Sequence, residues 1–384
     1  MESPYLSEKH KQLINRVREF AREEIQPLAR ELDEKEEFSS GLTKKIGEQG
    51  LFGMFLPEKY GGKGTDYLSL VLAVEEIARV DSSQAATVAA HNSLGIGPVY
   101  MFGTEKQKEN FLPDLTTGNK LWAFGLTEDT AGSDARGTET KAELTDGNWV
   151  INGSKRFISN AASELASGIT LQAITGMNNG EKELSVILVR RDTPGYEARK
   201  YTGKMMWRAA DTGILRFTNM IVPGENLLGE KGKGAQIMLK TLDSGRLTIG
   251  AIGLGLAEGA YEIAVKWSKK RVQFGRSISN FQAVSFKLAD MAMKIEAGRN
   301  LLYHACWLKD NGHHFAKEAA MAKLYTSEIA REIADEALQV HGAYGLMKEN
   351  DIERFYRDQR LLQIGEGTSE ILRLVISRYI LDKL

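Results

Sequence analysis

The sequence predicts a mainly α-helical protein with a central β domain, and three observations support this fold class. All seven prolines lie at or before Pro223, so the rest of the 384-residue chain is free of this helix-breaking residue. Apolar residues recur at helical spacing towards both ends of the chain and with period two between residues 121 and 225. The resulting order is α, β, α, without the βαβ alternation of a Rossmann fold.

The first expected domain, residues 1–120, is helical in short pieces. Leu13, Val17, Phe20 and Ile25 form one apolar stripe, which predicts a helix packed against a core. Turn-forming residues separate the pieces, namely Pro27, Gly50, Pro57, Gly61, Gly62 and Pro98.

The second expected domain, residues 121–225, is a small antiparallel β barrel or sandwich. The apolar-rich segment Asn148–Ile151 follows Asp146-Gly147, and Leu184–Val189 follows Asn178-Asn179-Gly180. Asp-Gly and Asn-Gly pairs are typical of tight hairpin turns, which join antiparallel strands.

The third expected domain, residues 226–384, is a four-helix bundle. The first expected helix is Gly234–Lys270, and the last is Glu370–Lys383. Between them, one helix is expected from the apolar residues Phe281, Val284, Leu288, Met291 and Ile295. Another is expected from Ile329, Ile333, Ala337 and Val340, and it ends at Gly342. Four helices of this length are enough to close a bundle.

Composition and charge exclude several classes of protein. The chain has 50 basic and 51 acidic residues, so its net charge is close to zero and gives no indication of a nucleic-acid partner. The N-terminus is charged, and the longest uncharged run, Ser82–Thr104, is interrupted by glycine and proline, so we expect no membrane segment. The one cysteine, Cys306, lies in an apolar helical run and predicts a buried structural thiol. We expect a soluble, cytoplasmic protein.

Several motif-like patterns carry no chemistry. Gly253, Gly255 and Gly259 have GxGxxxG spacing with no preceding strand, which favours close helix packing over a dinucleotide loop. The glycine-rich segment Gly229–Gly234 lacks the Gly-Lys-Ser/Thr of a phosphate loop and predicts an ordinary loop. None of the six histidines has metal-ligand spacing, so no metal is expected. His91 is either a hydrogen-bonded buried side chain or a pocket residue.

Four segments combine residue types suited to binding and catalysis. They are GLTEDTAGSD (Gly125–Asp134), NGSKRFISNA (Asn152–Ala161), QVHGAYG (Gln339–Gly345) and IGEGTSEILR (Ile364–Arg373). On a regular strand, Phe157 and Ser159 lie on the same side and offer an aromatic face beside a hydroxyl. Glu366 stands between two glycines just before a helix. It is either a solvated helix-end residue or a general base in an apolar setting, and spacing alone leaves both open.

These four segments, in this order, resemble the acyl-CoA dehydrogenase family over essentially the whole sequence. The resemblance is closest to the short-chain, butyryl-type bacterial members. Three further segments support it: TLDSGR (Thr241–Arg246), RVQFGRSISNFQ (Arg271–Gln282) and ERFYRD (Glu353–Asp358).

The resemblance implies an FAD site and an acyl-CoA site. Residues that match FAD contacts in the β domain are Phe124, Leu126, Thr127, Ser133, Phe157, Ile158 and Ser159. Residues that match contacts to the FAD of a neighbouring subunit are Arg271, Gln273, Phe281, Gln282, Gln339, Val340, His341, Gly342 and Ala343. Further FAD contacts match Gly367, Thr368 and Glu370. Ser133, Asp243, Arg246 and Gly365 match substrate contacts, and Glu366 matches the catalytic base.

The family reaction that the resemblance implies is α,β-dehydrogenation of an acyl-CoA thioester. Glu366 takes the α-proton, the β-hydrogen leaves as hydride to the flavin, and the product is a trans-2-enoyl-CoA. An electron-transferring flavoprotein is the expected electron acceptor, and a homotetramer is the expected assembly.

The sequence departs from the family pattern at several positions. Phe157 stands where a tryptophan is frequent, Asp129-Thr130 replace a Pro-Asn or Pro-Gly pair, and Trp207 is unusual. Gly365 stands where relatives often carry an aromatic residue beside the base. Its small size either opens the acyl pocket to branched or cyclic groups, or leaves space that Trp207 or another side chain refills.

Two other functions remain compatible with these motifs. An acyl-CoA oxidase-like flavoenzyme using oxygen has the same binding residues, because they position flavin and substrate without specifying the acceptor. A catalytically silent helical assembly module would lack bound flavin.

Overall fold

The computed structural model describes residues 3–381, and its first part is helical as predicted. The helices are α1 (Glu8–Phe20), α2 (Gln26–Lys35), α3 (Ser40–Glu48), α4 (Tyr67–Ala78), α5 (Ser82–Ala90), α6 (Gly97–Phe102) and α7 (Glu105–Leu115). Two π-helical turns, Ala21–Ile25 and His91–Ile96, continue α1 and α5. The predicted stripe faces inwards, because Val17, Phe20 and Ile25 are buried and Leu13 packs at the edge of the same core.

Side-chain caps explain where several of these helices begin. Ser7, Ser39, Asp66, Asp81 and Thr104 each accept a hydrogen bond from a backbone N–H of the first turn that follows. Such caps satisfy donors that have no partner within the helix.

The central residues form an eight-stranded sheet with order β6-β7-β3-β2-β4-β5-β8, in which β1 also pairs with β4. The strands are β1 (Leu121–Gly125), β2 (Lys141–Thr145), β3 (Asn148–Ser159), β4 (Ala166–Asn178), β5 (Glu181–Arg190), β6 (Tyr196–Lys200), β7 (Thr212–Pro223) and β8 (Leu227–Leu228). The two predicted hairpin turns are confirmed. Asp146-Gly147 and Asn179-Gly180 each have two consecutive positive φ angles, as a tight hairpin turn requires.

Two features of the sheet differ from the prediction. It is mixed rather than wholly antiparallel, because β1 pairs parallel with β4 and β2 touches β4 in parallel. Strand β8 pairs with β5 beyond residue 225, where the bundle was expected to begin. Local periodicity reports which face of a strand is buried, not which distant strand pairs with it, and a two-residue strand has no period.

The C-terminal part contains four long helices, as predicted for the bundle. They are α8 (Gly234–Lys270), α9 (Gln282–Asp310), α10 (Ala316–His341) and, after the short α11 (Ile352–Asp358), α12 (Ser369–Leu381). The stretch between α8 and α9 is not helical, because β9 (Val272–Gln273) and β10 (Arg276–Ser277) form a small hairpin there. Residues 382 and 383 of the last predicted helix lie outside the described residues.

Helix α8 is the centre of the largest core, which the N-terminal helices and the bundle share. Among the helices of residues 3–381, only α8 is long and apolar enough to span a membrane, and 78% of its most apolar window is buried inside the fold. Its glycines allow close packing, as predicted. A Cβ at Gly255 would lie 2.2 Å from the Glu75 carbonyl of α4, and one at Gly253 would lie 2.9 Å from the Thr326 carbonyl of α10. Cys306 is buried.

Candidate active site

Glu366 lies in the short loop that precedes α12, and its backbone is strained. Its φ is +52° and that of Gly367 is +105°. A left-handed glutamate is rare, and such a conformation persists only where the surroundings hold it. Thr368 helps to fix this conformation, because its Oγ1 accepts the Ile371 N–H at 3.2 Å and so caps α12.

The Glu366 carboxylate lies against the backbone of α8 at Gly245. A Cβ added to Gly245 would stand 2.1 Å from Glu366 Oε2 and 3.0 Å from Leu94 Cδ2. Only glycine therefore leaves the carboxylate in this position. Gly245 was not among the predicted site residues, although it lies within the TLDSGR segment.

The charge environment of Glu366 is that of a proton acceptor. Burial raises its pKa to about 7, while the positive charges of Lys323 and Arg246 oppose this rise. Its Oε2 is buried and has no hydrogen-bond partner among residues 3–381. Of the two interpretations left open by the sequence, the structure favours the apolar setting over the solvated helix end.

Asp243 and Arg246 lie on α8, close in sequence to Gly245, the residue against which the Glu366 carboxylate packs. Arg246 Nη1 donates to Asp243 Oδ1 at 2.6 Å. The arginine is buried, and its Nε has no partner among residues 3–381. Arg246 also acts electrostatically on Glu366. The predicted substrate pair and the predicted base therefore share one site.

The π-helical turn His91–Ile96 connects this site to the β domain. Leu94 points towards Gly245, and Ser93 Oγ lies 3.2 Å from Thr248 Oγ1 of α8. On its other side, the turn packs on β1 through His91, whose Nδ1 accepts the Trp122 N–H at 3.0 Å. Its Nε2 lies 2.8 Å from the Leu115 carbonyl, and burial lowers its pKa to about 4. His91 is thus a hydrogen-bonded buried side chain and not a pocket residue.

The segments Gly125–Asp134 and Asn152–Ala161 meet in the β domain. The Arg156 N–H donates to the Thr127 carbonyl at 2.9 Å. Lys155, which is fully buried, donates to Glu128 Oε1 at 2.6 Å and to the Leu126 carbonyl at 3.2 Å. This buried ion pair fixes the loop after β1 onto β3. This ion pair was not predicted from the sequence, because no local pattern indicates contact between two residues so far apart in the chain.

Phe157 occupies a bulge in β3. Its φ is +57°, the register shifts between Lys155 and Ile158, and the side chain is 65% exposed. The strand alternation that placed Phe157 with Ser159 therefore does not apply at this residue. The ring stacks on Tyr201, with centroids 5.2 Å apart and planes at 11°. Asp129 forms an ion pair with Arg156, and Ser133 is exposed.

A second group of predicted FAD residues gathers where α8 and α10 end. Arg271 lies over the Tyr344 ring at 5.2 Å, and Trp267 stacks on His341 at 5.0 Å. Gln273 and Gln282 are exposed. Gln339 is 16 residues beyond Lys323 on α10, which corresponds to about 24 Å along the helix. Since Lys323 contacts the Glu366 loop, the second group lies far from the base of its own chain.

The space beside Gly365 is bordered by Leu361 and not by Trp207. The three heavy atoms nearest to a Cβ at Gly365 all belong to Leu361, and the closest is at 3.4 Å. Trp207 is buried, with its backbone N–H donating to Asp358 Oδ1 at 2.8 Å. Leu361, and not Trp207, therefore supplies the nearest contacts in this space.

Within residues 3–381, no group of three or more histidine, cysteine, aspartate or glutamate side chains could hold a metal ion.

Comparison with known proteins decides the family. Family models for the N-terminal, middle and C-terminal domains of acyl-CoA dehydrogenases match residues 7–119, 123–220 and 232–381. The chain belongs to the acyl-CoA dehydrogenase family. This acyl-CoA dehydrogenase is 46% identical over 375 residues to the probable acyl-CoA dehydrogenase YngJ of Bacillus subtilis, with 97% of this chain and 98% of the relative covered.

Other relatives are short-chain enzymes. The short-chain-specific acyl-CoA dehydrogenase of Clostridium acetobutylicum is 42% identical over 361 residues, covering 94% of this chain and 95% of the relative. The structure of butyryl-CoA dehydrogenase from Megasphaera elsdenii is 40% identical, with a TM-score of 0.95 and coverage of 99% and 100% of the two chains.

This acyl-CoA dehydrogenase is an oxidoreductase that uses FAD to dehydrogenate acyl-CoA thioesters. The β domain fits that cofactor. The side-chain hydroxyls of Thr127 and Ser159 lie on the two joined segments and have no hydrogen-bond partner among residues 3–381. The exposed ring of Phe157 lies in the same region. Free hydroxyls next to an exposed ring suit a flat cofactor with polar edges.

Proposed function

We propose that Glu366 is the base that removes the α-proton of the acyl-CoA substrate. The observation that carries this proposal is the buried, unpartnered Glu366 Oε2, held against α8 at Gly245. A buried carboxylate oxygen that accepts no hydrogen bond keeps a free lone pair for a proton. Its raised pKa, about 7, is close to that of an efficient general base at neutral pH.

The backbone around Glu366 has a second role in this proposal. The Glu366 N–H donates to the thioester carbonyl, where negative charge develops as the α-proton leaves. The left-handed conformation of Glu366 turns this part of the chain sharply, so that the N–H and the carboxylate of one residue can serve the same substrate.

Asp243 and Arg246 hold the CoA portion of the substrate in this proposal, together with Ser133. Arg246 is already oriented by Asp243, and its Nε still lacks a partner among residues 3–381. A prearranged arginine loses little side-chain entropy when it binds a polar group of the ligand.

The residues proposed to hold FAD are those of the two β-domain segments and the loop before α12, namely Phe124, Leu126, Thr127, Ser133, Phe157, Ile158, Ser159, Gly367, Thr368 and Glu370. Bound FAD supplies the acceptor for the hydride that leaves the β-carbon. The protein contributes the orientation: the ion pair of Lys155 with Glu128 keeps the Thr127 loop beside β3, and the π-helical turn connects β1 to α8.

Glu366→Gln tests the base. The variant keeps the size of the side chain but cannot accept the proton, so the rate of flavin reduction should fall by roughly 10²- to 10⁴-fold while acyl-CoA still binds. Anaerobic bleaching of the bound flavin by butyryl-CoA measures this rate without an electron acceptor. Near-normal bleaching in the variant would show that another group is the base.

The proposed acceptor of the electrons is an electron-transferring flavoprotein. A chain in a structure of the electron-transferring flavoprotein of Acidaminococcus fermentans is 42% identical to this one, with a TM-score of 0.96. The alternative is oxygen, because the prolyl acyl carrier protein oxidase AnaB is 31% identical with a TM-score of 0.93. Peroxide formation during turnover in air would favour an oxidase, whereas a stable reduced flavin in air would favour the flavoprotein partner.

We also propose a homotetramer in which Arg271, Gln273, Phe281, Gln282 and Gln339–Ala343 reach the FAD of a neighbouring subunit. Their distance from Glu366 of the same chain supports this arrangement. So do three exposed large apolar side chains: Phe274 at the tip of the β9–β10 hairpin is 93% exposed, and Phe286 and Met293 on α9, the helix that follows this hairpin, are 62% and 64% exposed. Flavin in the purified protein would exclude a catalytically silent assembly module.

A further inference from the structure

Lys323, on α10, is a buried cation that packs behind the Glu366 loop. Its side chain is fully buried, and its Nζ donates to the Gly367 carbonyl at 2.7 Å. Among residues 3–381, no carboxylate lies within 4.0 Å of this nitrogen. Burying an ammonium group without a contacting anion is unfavourable, so its presence here calls for an explanation.

The charge of Lys323 acts chiefly on Glu366. Glu366 is the strongest influence raising the Lys323 pKa, which burial lowers to about 8. In return, Lys323 is the strongest influence opposing the raised pKa of Glu366. Two other groups face the carboxylate, namely Arg246 from α8 and Tyr67 from α4. Glu328, on α10 itself, faces the lysine.

The hydrogen bond of Lys323 also acts on the backbone of the loop. It fixes the carbonyl of Gly367, the residue directly after Glu366, and these two residues have the consecutive positive φ angles. The Gly365 N–H, on the other side of Glu366, donates to the Leu361 carbonyl at 2.8 Å. The strained residue is therefore held from both sides.

We propose that Lys323 is a positioning residue for the reaction, which holds the Glu366 loop through the Gly367 carbonyl and stabilises the ionised carboxylate. This inference rests on the proposed role of Glu366 as the base. Lys323 itself contacts neither the carboxylate nor the substrate in this arrangement, and it acts through Glu366.

Lys323→Met tests the inference, because it removes the charge and the donor but keeps an unbranched buried side chain. In the holoenzyme, the pH midpoint above which butyryl-CoA reduces the flavin should move to higher pH, since loss of a nearby positive charge favours the protonated carboxylate. Below the midpoint, the rate should fall about tenfold for each pH unit of displacement. The Kd of butyryl-CoA should change little. Lys323→Arg keeps the charge and should restore the wild-type midpoint.

Lys317→Met is the matched control on the same helix. Lys317 pairs with Glu318 and is partly exposed, so water screens its charge and the midpoint should not move. If Lys323→Met loses its flavin, Lys323→Gln replaces it as an uncharged variant that can still donate to the loop, and the same upward displacement is expected.

The outcomes separate this inference from the proposal on which it rests. A wild-type midpoint in the uncharged Lys323 variants, together with an inactive Glu366→Gln, would overturn the role of Lys323 and leave the base assignment intact. Equal displacement in Lys323→Arg and Lys323→Met would also overturn it, because charge would not be the cause. An active Glu366→Gln would instead overturn the base assignment.

Discussion

At the scale of single residues, Glu366 combines a catalytic requirement with a cost to folding. Burial raises its pKa from 4.5 to about 7, so the folded protein binds a proton there more tightly than the unfolded chain does. The stability contributed by this proton is fully present below pH 4.5 and is lost as the pH rises towards 7. Above pH 7 the ionised carboxylate destabilises the fold.

Glu366→Gln should therefore stabilise the protein at alkaline pH. The glutamine mimics the protonated carboxyl group at every pH, so the variant should be more stable than the wild type by about 1–3 kcal/mol at pH 8, with little difference near pH 4.5. Thermal unfolding of both proteins at the two pH values measures the effect. A difference that is the same at both values would mean that packing, not ionisation, is responsible.

Gly365 gives a second prediction at this scale, concerning the choice of acyl group. A Cβ fits there in ordinary contact with Leu361, so a side chain can start at this position without a backbone clash, and Gly365→Tyr probes the space beyond it. We expect the wild type to accept branched or cyclic acyl groups better than butyryl, and the tyrosine to reverse this order. Each methylene excluded or accommodated changes specificity by roughly 10- to 200-fold.

The ratio of kcat/KM for butyryl-CoA and cyclohexanecarbonyl-CoA checks this prediction. Leu361→Ala is the matched variant, since it enlarges the same space and should increase the preference for the cyclic substrate. If the wild type prefers butyryl-CoA and neither substitution changes the order, the space beside Gly365 is not part of the acyl pocket.

At the scale of elements, α8 shows how glycine spacing decides helix packing. Gly255 faces α4 and Gly253 faces α10, so one helix approaches two neighbours at backbone distance. Gly255→Ala should destabilise the fold by about 1–3 kcal/mol, because the new Cβ meets a carbonyl 2.2 Å away that cannot rotate aside. Differential scanning calorimetry compares this variant with the wild type.

Gly41→Ala in α3 is the control for Gly255→Ala. Nothing lies within 4 Å of a Cβ at Gly41, and the residue is exposed in a helix. Alanine should stabilise this position by about 0.5–1 kcal/mol, because it lowers the entropy of the unfolded chain. Similar destabilisation by both substitutions would contradict the packing explanation.

The sequence predicted the helices and hairpins because their signals are local. The stripe ending at Ile25 and the Asp146-Gly147 turn each occupy one short stretch of chain. The parallel pairing of β1 with β4 and the ion pair of Lys155 with Glu128 could not be predicted this way, because they depend on residues that only the fold brings together. Glu366 could be predicted only in part. Its glycine-flanked motif can be recognised in the sequence, but its burial against Gly245 depends on the position of α8 in the fold.

At the scale of the whole molecule, the site lies where the three parts of the chain meet. The core around α8 joins the N-terminal helices to the bundle, and the π-helical turn His91–Ile96 joins that core to β1. The residues proposed to bind FAD nevertheless form two groups, because the Glu366 loop contacts α10 at Lys323, whereas Gln339–Ala343 lie where α10 ends. In the proposed homotetramer, one chain would supply the base and the β-domain contacts of one site and the Arg271 group of another.

Arg271→Ala tests this sharing of sites between subunits. Arg271 lies over the Tyr344 ring beside the exposed hairpin, far from Glu366 of its own chain. If its guanidinium binds the FAD of a neighbour, its loss should lower the flavin content of the purified protein while the tetramer persists, because the apolar surface of Phe286 and Met293 is unchanged. Arg331→Ala, an exposed change on α10, is the control and should keep full flavin. Flavin absorbance per chain and sedimentation velocity measure both properties, and a flavin-replete monomer of the wild type would show that each chain binds FAD alone.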